Sequence, residues 1–245
     1  MRFGQGLAFV FGESGAFLRK AWWLAILAGL PLSLSDMVRW GDPAPELGPY
    51  FAAHLLTALL DTYLLLVVIR SVAGKQPLVS AMRVDADTVR QFAPFAIVTI
   101  IWVAAVYYVY LIDESVRTYW LVTAASAVVS ALLAPWAMAS GLGMANYGPR
   151  RSIRAAAPHL GWALGIYAIL VALENVGFFL VERVVLPLPD VQVAGMTFTY
   201  VGYGMQTLVL GSMLLVANQV ATIAIARRAG LLPPVEGHVL RETFS

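Results

Sequence analysis

Two carboxylates stand where carboxylates are rare. Asp61 lies in the run Tyr50 to Ile69 and Glu174 in the run Gly161 to Val181, both otherwise largely apolar. An ionised acid at the centre of a bilayer costs about 2.5–3.5 kcal/mol on insertion scales, so such a residue is a candidate for function by default. His54, Thr57 and Asp61 are spaced i, i+3, i+7 and share one helix face, a polar stripe along which a proton could pass. Asn218 and Gln219, with Gln206 further out, place neutral polar partners for a carboxylate in the last apolar run. Asp61, Glu174, His54, Asn218 and Gln219 are therefore the candidates for a proton or substrate site. For each, the competing reading is a protonated or hydrogen-bonded group that only holds helices together.

Other chemistries lack their groups. The chain has no cysteine and 3 scattered histidines, which leaves no thiol nucleophile, no disulfide and no metal-ligand cluster. No Ser, His and acid set at useful spacing and no His-Glu-x-x-His motif occurs. Gly141-x-Gly143 follows an apolar helical run and lacks the strand that a nucleotide fingerprint needs. The expectation is a protein that is not an enzyme and has no metal and no cofactor.

The elements that must position these residues follow from composition. Of 245 residues 60% are hydrophobic and 12% charged, with mean hydropathy +0.77, more apolar surface than a soluble core of this length hides. Crossing the hydrocarbon core takes about 20 apolar residues. Six runs qualify, at residues 21–37, 50–69, 94–112, 119–140, 161–181 and 200–226. The expected fold class is all-α: one polytopic transmembrane domain over 1–245, with an interfacial helix at 1–20, six transmembrane helices arranged as three hairpins, and a cytoplasmic tail at 227–245. The Ser33-Leu34-Ser35 segment imitates a signal-peptidase site, but the long amphipathic stretch before it favours an uncleaved first helix.

Orientation follows from the basic residues. All but Arg39, Arg117 and Arg183 of the 16 Lys and Arg fall on one side of this layout, which the positive-inside rule assigns to the cytoplasm together with both termini. Trp22, Trp23, Trp136 and Trp162 mark the inner interface in this scheme, and Trp40 and Trp120 the outer one. The location expected is the bacterial inner membrane. Alanines and serines at Ala124, Ser126, Ala127, Ser130, Ala131 and Ala134 allow close helix approach and place the fourth helix centrally in the bundle.

The cytoplasmic segments repeat. Ala73-Gly74-x-x-Pro77 follows the second run and Ala229-Gly230-x-x-Pro233 the sixth, and Gly148-Pro149 comes after the fourth. Arg90-x-x-x-Pro94 and Arg154-x-x-x-Pro158 precede the third and fifth, and Arg19-Lys20 the first. Short amphipathic stretches between these marks are expected to lie flat on the inner leaflet, with Arg19, Lys20, Arg83, Arg90, Arg150, Arg151 and Arg154 as contacts to anionic lipid headgroups.

The lead-ins Ala16-Phe17-Leu18-Arg19-Lys20, Thr88-Val89-Arg90-Gln91-Phe92 and Ser152-Ile153-Arg154-Ala155-Ala156 resemble those of the membrane domain associated with bacterial glycerophosphodiester phosphodiesterases and of related six-helix inner-membrane proteins. The resemblance implies a membrane module. It transfers no active-site residue, because that family's chemistry belongs to a separate soluble domain with metal-binding acids. Two functions are expected: a non-enzymatic module that organises membrane lipids or a membrane partner, itself or in a homo-oligomer; or a small transporter that uses Asp61 and Glu174. Basic residues at the ends of apolar runs give no nucleic-acid surface.

Overall fold

Helix starts in this chain are set by side chains that cap them. Asp85 accepts the Thr88 amide at 2.7 Å and the Thr88 hydroxyl at 2.6 Å, and a helix runs from Ala86 to Ile112. Ser115 accepts the Thr118 amide at 3.2 Å, and the next helix runs from Val116 to Gly141. Each cap satisfies an amide that the first helical turn leaves without a partner. Gly148 followed by Pro149 opens a third helix, where the missing proline N–H costs nothing.

The computed structural model describes residues 1–39, 47–113, 115–144, 147–185, 192–193, 196–197, 202 and 204–232. They form α1 (Phe3–Arg39), α2 (Leu47–Val68) with a π turn at Ile69–Ala73, α3 (Leu78–Ala81), α4 (Ala86–Ile112), α5 (Val116–Gly141), α6 (Pro149–Ala156), α7 (Leu160–Val185) and α8 (Ser212–Arg228), the last preceded by a π turn at Thr207–Gly211. A two-residue hairpin, Gln192–Val193 against Met196–Thr197, lies between α7 and α8. Among the described residues five helical stretches are long and apolar enough to cross a membrane: Phe51–Ala73, Ala86–Val109, Val116–Gly141, Pro149–Gly177 and Gly204–Arg228. The architecture is that of a helical membrane protein.

The sequence expectations need four corrections here. The third run begins at Ala86 and not at 94, because the Asp85 cap starts the helix early and Pro94 is carried inside it. The amphipathic stretch around Thr88 to Phe92 is thus the first turns of that long helix. Only Leu78–Ala81 forms a separate short helix before it. The boundary expected between 20 and 21 is a break inside one 37-residue helix, at Ala21, whose φ of −143° and ψ of 31° are not helical.

The third correction concerns the centre of the bundle. Helix α8 occupies it, packing on α1, α2, α5 and α7. Val216, Val220, Ala221, Ile223, Ala224, Ile225 and Ala226 are fully enclosed, whereas the buried residues of α5 other than Thr118 lie in its second half, from Ala131 to Gly141. Ala217, Ala221 and Ala224 recur at i, i+4, i+7 and let neighbouring backbones approach.

The fourth correction concerns the aromatic residues. Trp22 and Trp23 are exposed, but Trp136 is buried edge-on against Phe95, with ring centroids 5.5 Å apart, and Trp162 lies under the Arg228 guanidinium. Both pack into the bundle. Trp40, the acids Asp42, Glu46, Glu114 and Asp190, most of the segment 186–199, and the tail from Pro233 to Ser245 lie outside the described residues.

The basic ends converge. Arg70, in the π turn after α2, donates from Nε to Gly141 O at 3.3 Å, from Nη1 to Arg83 O at 2.7 Å, and from its other terminal nitrogen to the Thr88 hydroxyl. It ties the end of α2 to the start of α4 and the end of α5. Arg228 donates to Met1 O at 2.6 Å, joining the end of α8 to the start of α1. On the loop between α2 and α3 the left-handed backbone falls on Lys75, at φ 52°, and not on Gly74, whereas after α8 it falls on Gly230, at φ 81°. The two Ala-Gly-x-x-Pro segments therefore turn differently.

Candidate functional site

Asp61 lines a cavity of about 360 Å³ bordered by residues of α2, α4, α5, α7 and α8. Each helix contributes residues near the middle of its span, so the cavity lies at mid-depth. Gln219 of α8 donates from Nε2 to Asp61 Oδ1. Among the described residues this is the hydrogen bond that reaches the Asp61 carboxylate from another helix. Asn218 and Thr222 border the same space, with the Thr222 hydroxyl donating to Asn218 O at 3.2 Å.

Two of the sequence candidates thus meet the principal one, and two do not. Glu174 stands one turn beyond Val171, a cavity residue, but does not itself line the cavity. The half-buried Asn175 beside it donates to Val171 O at 2.8 Å within its own helix. His54 is buried, with its ring 3.5 Å from that of Tyr107 between centroids, and the Thr57 hydroxyl donates to Ala53 O at 3.0 Å. Neither borders the cavity, so the stripe predicted along α2 reaches Asp61 alone.

The walls hold groups that sequence reasoning did not select. Thr123, Ser126 and Ser130 of α5 border the cavity, as do Thr99 and Trp102 of α4. The Trp102 indole donates to the Ser126 hydroxyl at 3.3 Å, which bridges α4 and α5. Thr123, Ser126 and Ser130 are spaced i, i+3, i+7, the same spacing that singles out His54, Thr57 and Asp61. The sequence carries that signal, but small hydroxyl residues at this spacing suit close helix packing equally well. Tyr167 of α7 is buried and lines the cavity as well.

At the basic end, Arg19, Lys20, Arg83, Arg90, Arg150, Arg151 and Arg154 are all exposed. On α6 the arginines point outward while Ser152 and Ala156 are buried against α5. Arg151 also lies over the Tyr147 ring at 5.3 Å, a geometry in which the guanidinium is drawn to the ring face. Among the described residues no group of three or more His, Asp or Glu is placed to hold a metal ion.

Fold and site together define a polytopic helical membrane protein with one carboxylate set in a cavity of mixed polar and apolar lining among its helices. No family model, curated protein or solved structure matches the chain.

Proposed function

We propose that this chain is a small solute- or proton-binding transporter of the bacterial inner membrane, with Asp61 as its working group. In this reading the second half of α1 is a sixth span, the helices pair as three hairpins, and both termini are cytoplasmic. Support for the sixth span comes from α1, whose residues from Ala21 to Arg39 continue the bundle. Ser33 is fully buried and donates to Gly204 O at 2.5 Å, and Gly29 packs against Ser212. Support for the orientation comes from the convergence of the basic ends on one side.

The single observation that carries the function is the Asp61–Gln219 pair opening on a mid-depth cavity. Transporters commonly place their binding groups at this depth. A purely structural aspartate would be closed off by its neighbours, whereas this one borders about 360 Å³ of space that Thr99, Thr123, Ser126, Ser130 and Thr222 also line. Glu174 takes no part in this site.

The test is uptake into proteoliposomes of a panel of labelled amines, amino acids and polyols, with and without an imposed pH gradient. At least one solute is expected to accumulate, and Asp61→Asn to abolish its accumulation while the protein still melts cooperatively. Accumulation at the wild-type level in Asp61→Asn, or no movement of any solute, would overturn the proposal.

A second reading is favoured by a separate observation. Helix α6 presents Arg150, Arg151 and Arg154 outward beside Tyr147, as a surface for anionic headgroups requires. In that reading the chain organises lipid or a membrane partner. Loss of co-purifying anionic lipid on removing Arg83, Arg90, Arg151 and Arg154 is the expected result, and unchanged lipid content counts against it.

A further inference from the structure

The walls of the Asp61 cavity narrow what it can hold. Asp61 is the ionisable acid among the lining residues, and among the described residues no lysine, arginine or histidine borders the space to serve as its counter-ion. Three aromatic residues border it as well: Phe95, Trp102 and Tyr167. An anionic ligand would meet a carboxylate with no compensating cation. A neutral ligand would leave that carboxylate without a counter-charge, so that the acid would have to take up a proton or bear the cost of an unpaired charge at mid-membrane.

A bare inorganic cation fits little better. Hard cations need six or more oxygen ligands at short range, and much of this lining is Leu65, Leu133, Val171 and Leu215, which offer none. The volume also exceeds what one ion and a few waters occupy, since a water takes about 30 Å³. It falls at the small end of organic-ligand pockets, which run from about 300 to 1,000 Å³. A positive charge that carries its own apolar substituents suits both halves of the wall: the carboxylate neutralises it, and aromatic faces attract it while covering its alkyl groups.

We infer that the cavity binds a small organic ammonium ion, with Asp61 as counter-ion, Gln219 holding the carboxylate in place, and Trp102, Tyr167 and Phe95 forming an aromatic wall. This rests on the reading of the cavity as a binding site and names its ligand class. Gln219 occupies one carboxylate oxygen, and the other is left for the incoming charge.

The test is calorimetric titration of the full chain in nanodiscs with tetramethylammonium, choline and phenethylammonium, alongside 3,3-dimethylbutan-1-ol, the uncharged carbon isostere of choline. At least one ammonium ion should bind saturably, and the isostere at least 10-fold more weakly than choline if choline is the binder. Asp61→Asn should abolish binding, Asp61→Glu should retain part of it, and Trp102→Leu should weaken it about 3- to 30-fold, the range expected for a desolvated cation–π contact. Thermal transitions of all three variants separate lost binding from lost folding. Binding of no ammonium ion, equal binding of the isostere, or full binding by a folded Asp61→Asn would overturn the inference. Asp61-dependent uptake of an uncharged solute, without ammonium binding, would overturn the ligand class and leave the transport proposal standing. Ammonium binding without uptake of any solute would do the reverse.

Discussion

The Ser152 hydroxyl of α6 accepts the backbone amide of Trp136 in α5 at 3.0 Å and donates to the Leu132 carbonyl at 2.7 Å. Leu132 O and Trp136 N are the two groups that an unbroken α-helix pairs with each other. Beside them stands Pro135, which has no N–H to give the neighbouring rung. Ser152 is fully buried, so the amphipathic α6 is locked to the bundle by its own polar residue. Ser152→Ala is expected to lower unfolding free energy by about 1–2 kcal/mol, because buried backbone groups lose a partner. The check is unfolding in mixed micelles by circular dichroism. A loss below about 0.5 kcal/mol would mean that Leu132 and Trp136 close the rung unaided.

The Asp61–Gln219 bond makes a different prediction, since it joins two side chains of separate spans. Hydrogen bonds of this kind in helical membrane proteins average about 0.6 kcal/mol and reach about 1.7. Gln219→Leu should cost an amount in that range and leave Asp61 in place without its donor. Adding Asp61→Leu should recover part of the loss, because it removes the orphaned carboxylate along with its partner. A double-mutant cycle in the same unfolding assay reads the coupling directly. Strictly additive losses would show that the two side chains do not act as a pair.

Acid sensitivity should appear at the start of α4. Hydrogen bonds from the Thr88 hydroxyl and amide hold the Asp85 carboxyl below its ordinary value of 3.8, and the Arg70 charge adds to the effect. A folded-state value below the unfolded one means that the stabilisation is present above pH 3.8 and is lost as pH falls below it through the folded value. Asp85→Asn keeps a capping side chain but removes the charge. Its melting temperature should therefore lie below that of the wild type at neutral pH, with the gap closing as pH drops beneath 3.8. A constant gap across that window would contradict the assignment.

These relationships differ in how far the sequence exposes them. The spans are legible because apolar runs near bilayer length are rare in chains that do not cross a membrane, and Asp61 is legible because a charge inside such a run is expensive. Its pairing with Gln219 is not, since across a sequence separation of 158 nothing records which helices become neighbours. Asp85-x-x-Thr88 is readable as a cap but sits in a stretch whose alternation of charged and apolar residues reads equally well as an interfacial helix. Ser152, flanked by Arg151 and Arg154, has the surroundings of a surface residue. The alanine stripes of the fourth and sixth runs are alike in kind, and only the packing decides that the second half of the sixth is enclosed while the first half of the fourth is not.

The contact between α2 and α5 at the basic end gives the last prediction. A Cβ added to Gly141 would stand 2.8 Å from Ile69 Cγ2, closer than packed carbons allow. Ile69 is fully buried in the π turn and β-branched, so it has little freedom to move aside. Gly141 also supplies the carbonyl that receives Arg70 Nε, which fixes the spacing of the two chain segments. Gly141→Ala should therefore destabilise by about 1–3 kcal/mol, the usual range for overpacking, despite the higher helix propensity of alanine. Gly15→Ala and Gly161→Ala are the controls, because an added Cβ meets nothing within 4 Å at either position. Both should be neutral or stabilising by up to about 1 kcal/mol. Combining Gly141→Ala with Ile69→Ala should restore part of the loss if the clash is its cause, since the second change removes the atom that is struck. If the double variant loses the full sum of the two single effects, the backbone between Arg70 and Gly141 sets the limit, and not the side chain.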